Sequence, residues 1–446
     1  MPDPRRSVPS SASAPAATWT NWTRNQHAQP SAVHCPRSIE EVTAVVRAAA
    51  AQGRRLRPVG SGHSFSDIAR PDDAQLDLSA LAGLVSVDAA ARLVTVQGGM
   101  TLRTLNEALH RHRLALPNLG DIDAQTVAGA ISTATHGTGA GFGSLASFVA
   151  GLTIVDGHGD IVSCSASTQP EIFAAARVGL GAVGTIVEAT LQCTDAFVLL
   201  AQERPATVAE ILPRLDELIS ENEHVDLYWF PYTDRLLVKL NNRVPVDDRP
   251  LSRLRGWWDD ELLANTALGG VCRLSRAVPR LVPAISAFSA RALTSRTYTG
   301  RSDRVFCANR RVRFTEMEYG LPRPAFAAAF TALRRVVEEA PCRVAFPVEL
   351  RFTGADDAWL SPGYARDNAY IAVQQYVGMA YEPYFRAFEQ VAQELGGRPH
   401  WGKIHYRDAA SLRPVYPRFD EFLAVRNRLD PERIFANSYT ERVLGG

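Results

Sequence analysis

Two glycine-rich stretches, each enclosing a histidine, constrain this chain more than any other feature. Gly60-Ser61-Gly62-His63-Ser64 follows Arg55 to Val59, which reads as a short strand. Thr133-Ala134-Thr135-His136-Gly137-Thr138-Gly139 is preceded by Asn118-Leu119-Gly120-Asp121-Ile122-Asp123. Glycine permits positive φ and lets backbone N–H groups converge on an anion. Neighbouring hydroxyls add donors for phosphate oxygens. Either stretch alone reads first as a tight turn; two of them, each with an embedded histidine, are less easily dismissed as turns.

The surroundings are mixed α+β. Ser38-Ile39-Glu40-Glu41 has capping-box spacing, with Val42, Val45, Val46 and Ala49 at helical intervals and Gly53 placed to end the helix. Leu93 to Val96 reads as a strand closed by Gly98-Gly99, and a helix follows from about Leu102 to His112. Leu152 to Val162 reads as a β-hairpin turning at Asp156 to Asp160, and Val183 to Leu191 as another strand. This is not the strand–helix alternation of a doubly wound fold. No G-x-G-x-x-G opens a helix after an N-terminal strand, which speaks against a nicotinamide dehydrogenase. From about Ala196 the texture changes. Val225 to Trp229, Leu236 to Leu240, Arg310 to Thr315, Phe346 to Phe352 and Tyr370 to Tyr376 read as strands. Pro324 to Glu339 reads as a helix with Phe326, Phe330 and Leu333 on one face. Residues 246 to 300 read as helical or irregular, and a helix from about Arg418 to Leu429 stops at Asp430-Pro431.

At 446 residues the chain exceeds one ordinary core, so two lobes are expected. A formal net charge of +1 gives no support for nucleic-acid binding, and no run is long and apolar enough to span a bilayer. Met1 to about Thr18 is rich in Ser, Pro and Ala. It carries Arg5-Arg6 without a following apolar region, and so reads as a disordered tail. The six cysteines form no C-x-x-C pair. Free thiols are expected, with the cytoplasm as location, and no metal is expected.

Two further segments carry chemistry. Glu349 and Arg351 are two apart on an expected strand, so they project to one face while Val348 and Leu350 face the other. Such a pair is ordinarily a solvated surface pair. Lys403 closes His400-Trp401-Gly402-Lys403, where an aromatic–glycine turn argues against a plain surface lysine. His400 and His405 are weaker candidates for proton handling.

The two glycine stretches and the terminal His-Trp-Gly-Lys, in this order, resemble the aldonolactone oxidase branch of the vanillyl-alcohol-oxidase flavoprotein superfamily. That branch includes L-gulono-1,4-lactone oxidase, D-arabinono-1,4-lactone oxidase and alditol oxidase. The resemblance runs from about Trp22 to Leu444 and is thin from 246 to 300. It implies an α+β fold with a PCMH-type FAD-binding domain at 20–196, a substrate-binding cap domain on an antiparallel sheet at 197–398, and a segment, 399–446, that returns to the flavin. It implies FAD bonded covalently to His63. Gly60, Ser61, Gly62 and Ser64 would touch the pyrophosphate. Gly120, Asp121, Gln125, Thr126, Gly129, Thr133, Thr135, His136, Gly137 and Gly139 would line the second segment, with Val183, Gly184 and Ile186 towards the adenine. His136 reads as a loop-holding residue before a catalytic one. Glu349, Arg351 and Lys403 are the implied catalytic residues. The implied reaction is hydride transfer from a sugar-1,4-lactone to flavin, with O2 as acceptor because Gly120 matches a gate position where small residues admit oxygen. An alditol oxidase acting on xylitol or sorbitol, a lactone dehydrogenase with another acceptor, and a flavin-binding protein without activity are the rival readings.

Overall fold

The computed structural model describes residues 18–245, 268–308 and 311–446. Its framework is three sheets of different character. Near the N-terminus, Val33–His34, Ala74–Asp77 and Leu56–Val59 form a small parallel sheet. Helix Ile39–Ala51 covers it with Val42, Val46 and Ala49. Ser38 caps that helix through the Glu41 N–H, but the Glu41 carboxylate accepts from Arg37 N instead of closing the expected capping box on Ser38, and Gly53 leaves the helix at φ +62°.

A five-stranded antiparallel sheet follows in the order Ile161–Ser165, Val149–Val155, Thr185–Gln192, Leu93–Gln97, Leu84–Asp88. Its apolar face is closed by helix Leu102–Arg111, whose Leu102, Leu105 and Leu109 recur at helical spacing. The expected hairpin is present, with Ile161 opposite Val155.

The second half is built on eight antiparallel strands, ordered Arg296–Arg301, Val198–Thr207, Arg235–Val244, His224–Trp229, Val348–Thr353, Asn368–Tyr376, Phe314–Pro322, Arg398–Pro399. Leu227, Leu350, Ile371 and Met317 belong to the core on which helices Phe326–Glu339 and Glu382–Glu394 pack. Phe326, Phe330 and Leu333 are buried as the helical period predicts. Each such side chain contributes about 1.5–3 kcal/mol of transfer free energy. The opposite face of the sheet carries the charges described below.

Two expectations shift. The strand placed at Arg310 to Thr315 runs instead over Phe314–Pro322. It is buried almost throughout, and its Glu316 and Glu318 interrupt the apolar run that marks a buried strand in sequence. Of residues 246 to 300, 246–267 lie outside the described residues. The remainder forms helices Leu268–Ala277 and Val282–Arg291 and an edge strand, Arg296–Arg301. The tail at residues 1–17 also lies outside the described residues. All six cysteines are free, and among the described residues no helix is long and apolar enough to cross a membrane.

The last segment crosses back to the first sheet. Leu56 N donates to Ile434 O at 2.7 Å, and Arg57 Nη1 to Phe435 O at 2.8 Å. The Asn437 side-chain amide donates to the carbonyls of Asp67, Ile68 and Arg70. Phe65 N donates to Gly402 O at 2.7 Å, which brings the two histidine-bearing turns of residues 60–66 and 400–405 together.

Candidate active site

A cavity of about 840 Å³ lies in the first half, walled largely by backbone. Gly60, Ser61, Gly62, His63, Ser64, Gln125, Thr126, Gly129, Thr133, Gly184 and Ile186 line it. The glycines are needed for room: a Cβ on Gly99 would stand 1.9 Å from Leu78 O, and one on Gly98 2.2 Å from Ile186 O. Gly62 adopts φ +68°, which turns the chain to present His63. A second cavity of about 660 Å³ shares His63, Ser64, Gln125 and Thr133 with the first and extends to the charged face of the large sheet. Gly120, Asp121, Thr135, His136, Glu349, Arg351 and Lys403 line this second part.

The structure therefore brings most of the sequence-derived residues together at one continuous cleft. Gly137, Gly139 and Val183 line neither cavity. A Cβ on Gly137 would meet Leu119 O at 2.2 Å and one on Gly139 would meet Glu223 O at 2.5 Å, so these glycines serve close packing of the loop against its neighbours. Val183 is a core residue.

His63 stacks on Trp22, with ring centroids 5.7 Å apart. Its Nδ1 is buried and has no hydrogen-bond partner among the described residues, and burial, with Lys403 and Arg103, lowers its pKa, so the ring is neutral at pH 7. A neutral imidazole with an unpartnered nitrogen, at the junction of the two cavities, suits attachment to a cofactor spanning both.

Glu349 and Arg351 are 4% and 8% exposed, which excludes the solvated surface pair. Arg351 Nη2 bonds both Glu349 Oε1 and Asp121 Oδ1, and its Nε lies 3.7 Å from Asp226 Oδ1. Burial opposes the guanidinium charge, but Asp121 and Glu349, chiefly, hold its pKa well above the ordinary value. Asp121 thus faces the charged wall of the second cavity rather than the backbone cradle.

Lys403 Nζ bonds Glu316 Oε2, stands 4.0 Å from Glu318 and lies 4.9 Å above the Phe65 ring. His136 Nδ1 donates to Gly137 O at 2.8 Å, its Nε2 is 3.4 Å from Glu318, and Tyr370 stacks on its ring at 3.7 Å. Burial disfavours the Glu318 carboxylate, yet His136, Lys403 and His400 outweigh it and hold the carboxyl below its usual range. His400 also lines the cleft; burial, chiefly, pushes its pKa down to about 3. The donor atoms of His136, Glu318 and His400 lie within 4.8 Å of one another, a set that could ligate a metal, though Lys403 already places a cation beside it. His405 instead bonds Tyr439 through Nε2 and does not line the cleft.

Sequence reasoning missed Glu316, Glu318 and Gln374, all in the cleft wall. Glu316 and Glu318 alternate with Met317 and Tyr319, the same i, i+2 signal that singled out Glu349 and Arg351.

Comparison with known proteins gives the family. Residues 189–443 match the family D-arabinono-1,4-lactone oxidase, and residues 30–165 match an FAD binding domain. The chain is 42% identical over 429 residues to the L-gulono-1,4-lactone dehydrogenase of Mycobacterium tuberculosis, covering 96% of this chain and 99% of that protein. It is 34% identical to the L-gulonolactone oxidase of Bos taurus, covering 95% and 97%. A solvent-stable cholesterol oxidase of known structure superposes with a TM-score of 0.83 at 20% identity, covering 96% and 97%, a likeness of fold alone. With an FAD-binding unit of PCMH type joined to a large antiparallel sheet, the chain belongs to the D-arabinono-1,4-lactone oxidase family of flavoproteins.

Proposed function

We propose that this protein oxidises a sugar 1,4-lactone of the L-gulono or D-arabinono type with FAD tethered to His63. The observation that carries this reading is the continuity of the two cavities through His63, with a glycine cradle on one side and Arg351, Glu349 and Lys403 on the other. In this reading residues 20–196 hold the cofactor, 197–398 form the substrate cap, and 399–446 bring Lys403 back to the cleft.

Gly60, Ser61, Gly62 and Ser64 would hold the pyrophosphate, and Gly184 and Ile186 the adenine end. When bound there, flavin supplies a hydride acceptor, and attachment to an imidazole raises its potential by withdrawing electrons. The chain's own groups do the rest. Arg351 and Lys403 are fixed cations that polarise the substrate's hydroxyl or ring oxygen. Glu349 orients that hydroxyl and takes its proton. Glu316 and Asp121 hold the two cations in place. Gly120 leaves the cleft wall without a side chain, which favours O2 as acceptor. The relatives are named both dehydrogenase and oxidase, so turnover in air against turnover with a dye decides the acceptor. The free thiols are consistent with a reducing compartment, and we place the protein in the cytoplasm.

The test is anaerobic bleaching of the flavin across L-gulono-, D-arabinono- and L-galactono-lactones and polyols. Bleaching by lactones is expected; bleaching by xylitol or sorbitol alone moves the assignment to an alditol oxidase. Yellow colour should survive acid precipitation of the wild type and be lost from His63→Ala.

A further inference from the structure

We infer that Asp226 and Tyr228 are positioning residues for the reaction: a protonated Asp226 donates to the Tyr228 hydroxyl, which donates to Glu349 and keeps it an ionised base facing the substrate. The inference rests on the reading of Glu349 as the group that takes the substrate's proton.

Strand register carries the argument. Asp226 is paired with Arg351 and Tyr228 with Glu349 on adjacent antiparallel strands, so all four side chains share one face. Tyr228 Oη lies 2.9 Å from Asp226 Oδ2 and 2.6 Å from Glu349 Oε1. A phenol has one hydrogen and cannot donate fully to both carboxyls. If both were ionised, one contact would set a hydroxyl lone pair against a carboxylate. One of the two therefore carries a proton.

Asp226 is the one. It lines neither cavity, whereas Glu349 lines the second, and among the described residues its buried Oδ1 has no hydrogen-bond partner, with Arg351 Nε 3.7 Å away. Glu349 Oε1, by contrast, accepts from both Arg351 and Tyr228, as an anion should. Among the described residues, the charged groups facing Asp226 are Arg351 and Lys239 on the two flanking strands and Asp121 across the cleft, with Tyr228 beside it. Burial and Asp121 raise its pKa, and Arg351 and Lys239 do not restore it.

Difference infrared spectra of the holoenzyme, wild type against Asp226→Asn, test the proton directly and need no substrate. A carbonyl band of a protonated carboxylic acid at neutral pH, absent from D226N, is expected. No such difference overturns the inference. The pH dependence of kcat/KM then tests the chain. Tyr228→Phe removes a donor from the Glu349 carboxylate, so the acid limb should move to higher pH and kcat fall by about tenfold. In D226N one neutral group replaces another, so the acid limb should stay in place. A limb moved to lower pH in D226N, or an unmoved limb in Y228F, overturns the inference. If no lactone reduces the flavin, the functional reading fails while the infrared band still reports the state of Asp226.

Discussion

The two halves of the cleft are made by opposite means. The first is backbone: Gly98, Gly99 and Gly62 clear space and bend the chain, and few charges are involved. The second is side chains: Glu316 and Glu318 stand on one strand of the large sheet and Glu349 and Arg351 on another, with strand Asn368–Tyr376 between them, joined by Lys403 and by Asp121 from the first half of the chain. A backbone cradle suits a cofactor that stays. A charged wall suits a substrate that must be oriented, deprotonated and released. The comparison teaches that retention and turnover are separable here, and substitutions on the two sides should fail in different ways.

The largest effect is expected on the charged side. Arg351→Ala strands Asp121 and Glu349 without their cation, and anaerobic flavin reduction should slow by about 10³-fold while flavin content stays at the wild-type level. Loss of flavin in that variant would break the division. Next comes the backbone side. Gly99→Ala cannot be accommodated by side-chain motion, because the obstacle is the Leu78 carbonyl. It should cost about 1–3 kcal/mol and lower the flavin-to-protein absorbance ratio, read with the melting temperature.

A third prediction concerns the joint between the halves, where His224 Nδ1 donates to Thr138 O at 2.7 Å and its ring stacks on Phe142. Burial, chiefly, pushes His224 down to about 4. Above the unfolded value of about 6.5 neither state is protonated, and the stability is intact. As pH falls from 6.5 towards 4 the unfolded chain takes a proton the folded one refuses, and stability drops by about 3 kcal/mol. His224→Gln should flatten the melting temperature across that window. The smallest effect is Gly120→Ala, whose Cβ would meet His136 O at 2.9 Å. It should slow reoxidation by O2 several-fold and affect lactone-driven reduction less, as stopped-flow traces would separate.

The same contrast explains what was legible in the sequence. Backbone chemistry demands contiguous residues, so Gly60 to Ser64 could be read as a unit, and the helix after Ser38 and the hairpin at 149–165 followed from local periodicity and turn chemistry. Glu349 and Arg351 were legible because two charges flank a core leucine on a strand. Glu316 and Glu318 carried the same signal, but the acids disguised the strand that holds them. Asp226 and Tyr228 acquire meaning only from register, which no local pattern specifies. Gly137 and Gly139 show the converse hazard: a continuous motif whose second part packs against its own support.

The crossing of residues 398–444 back onto residues 56–70 has a consequence for biogenesis. The first lobe to leave the ribosome lacks Ile434, Phe435 and Asn437, on which its own strand and turn are anchored. It must wait, unfinished, until residues 434–437 have been made. On the proposed reading, capture of the coenzyme would therefore follow, rather than precede, the docking of residues 434–437 on that strand and turn.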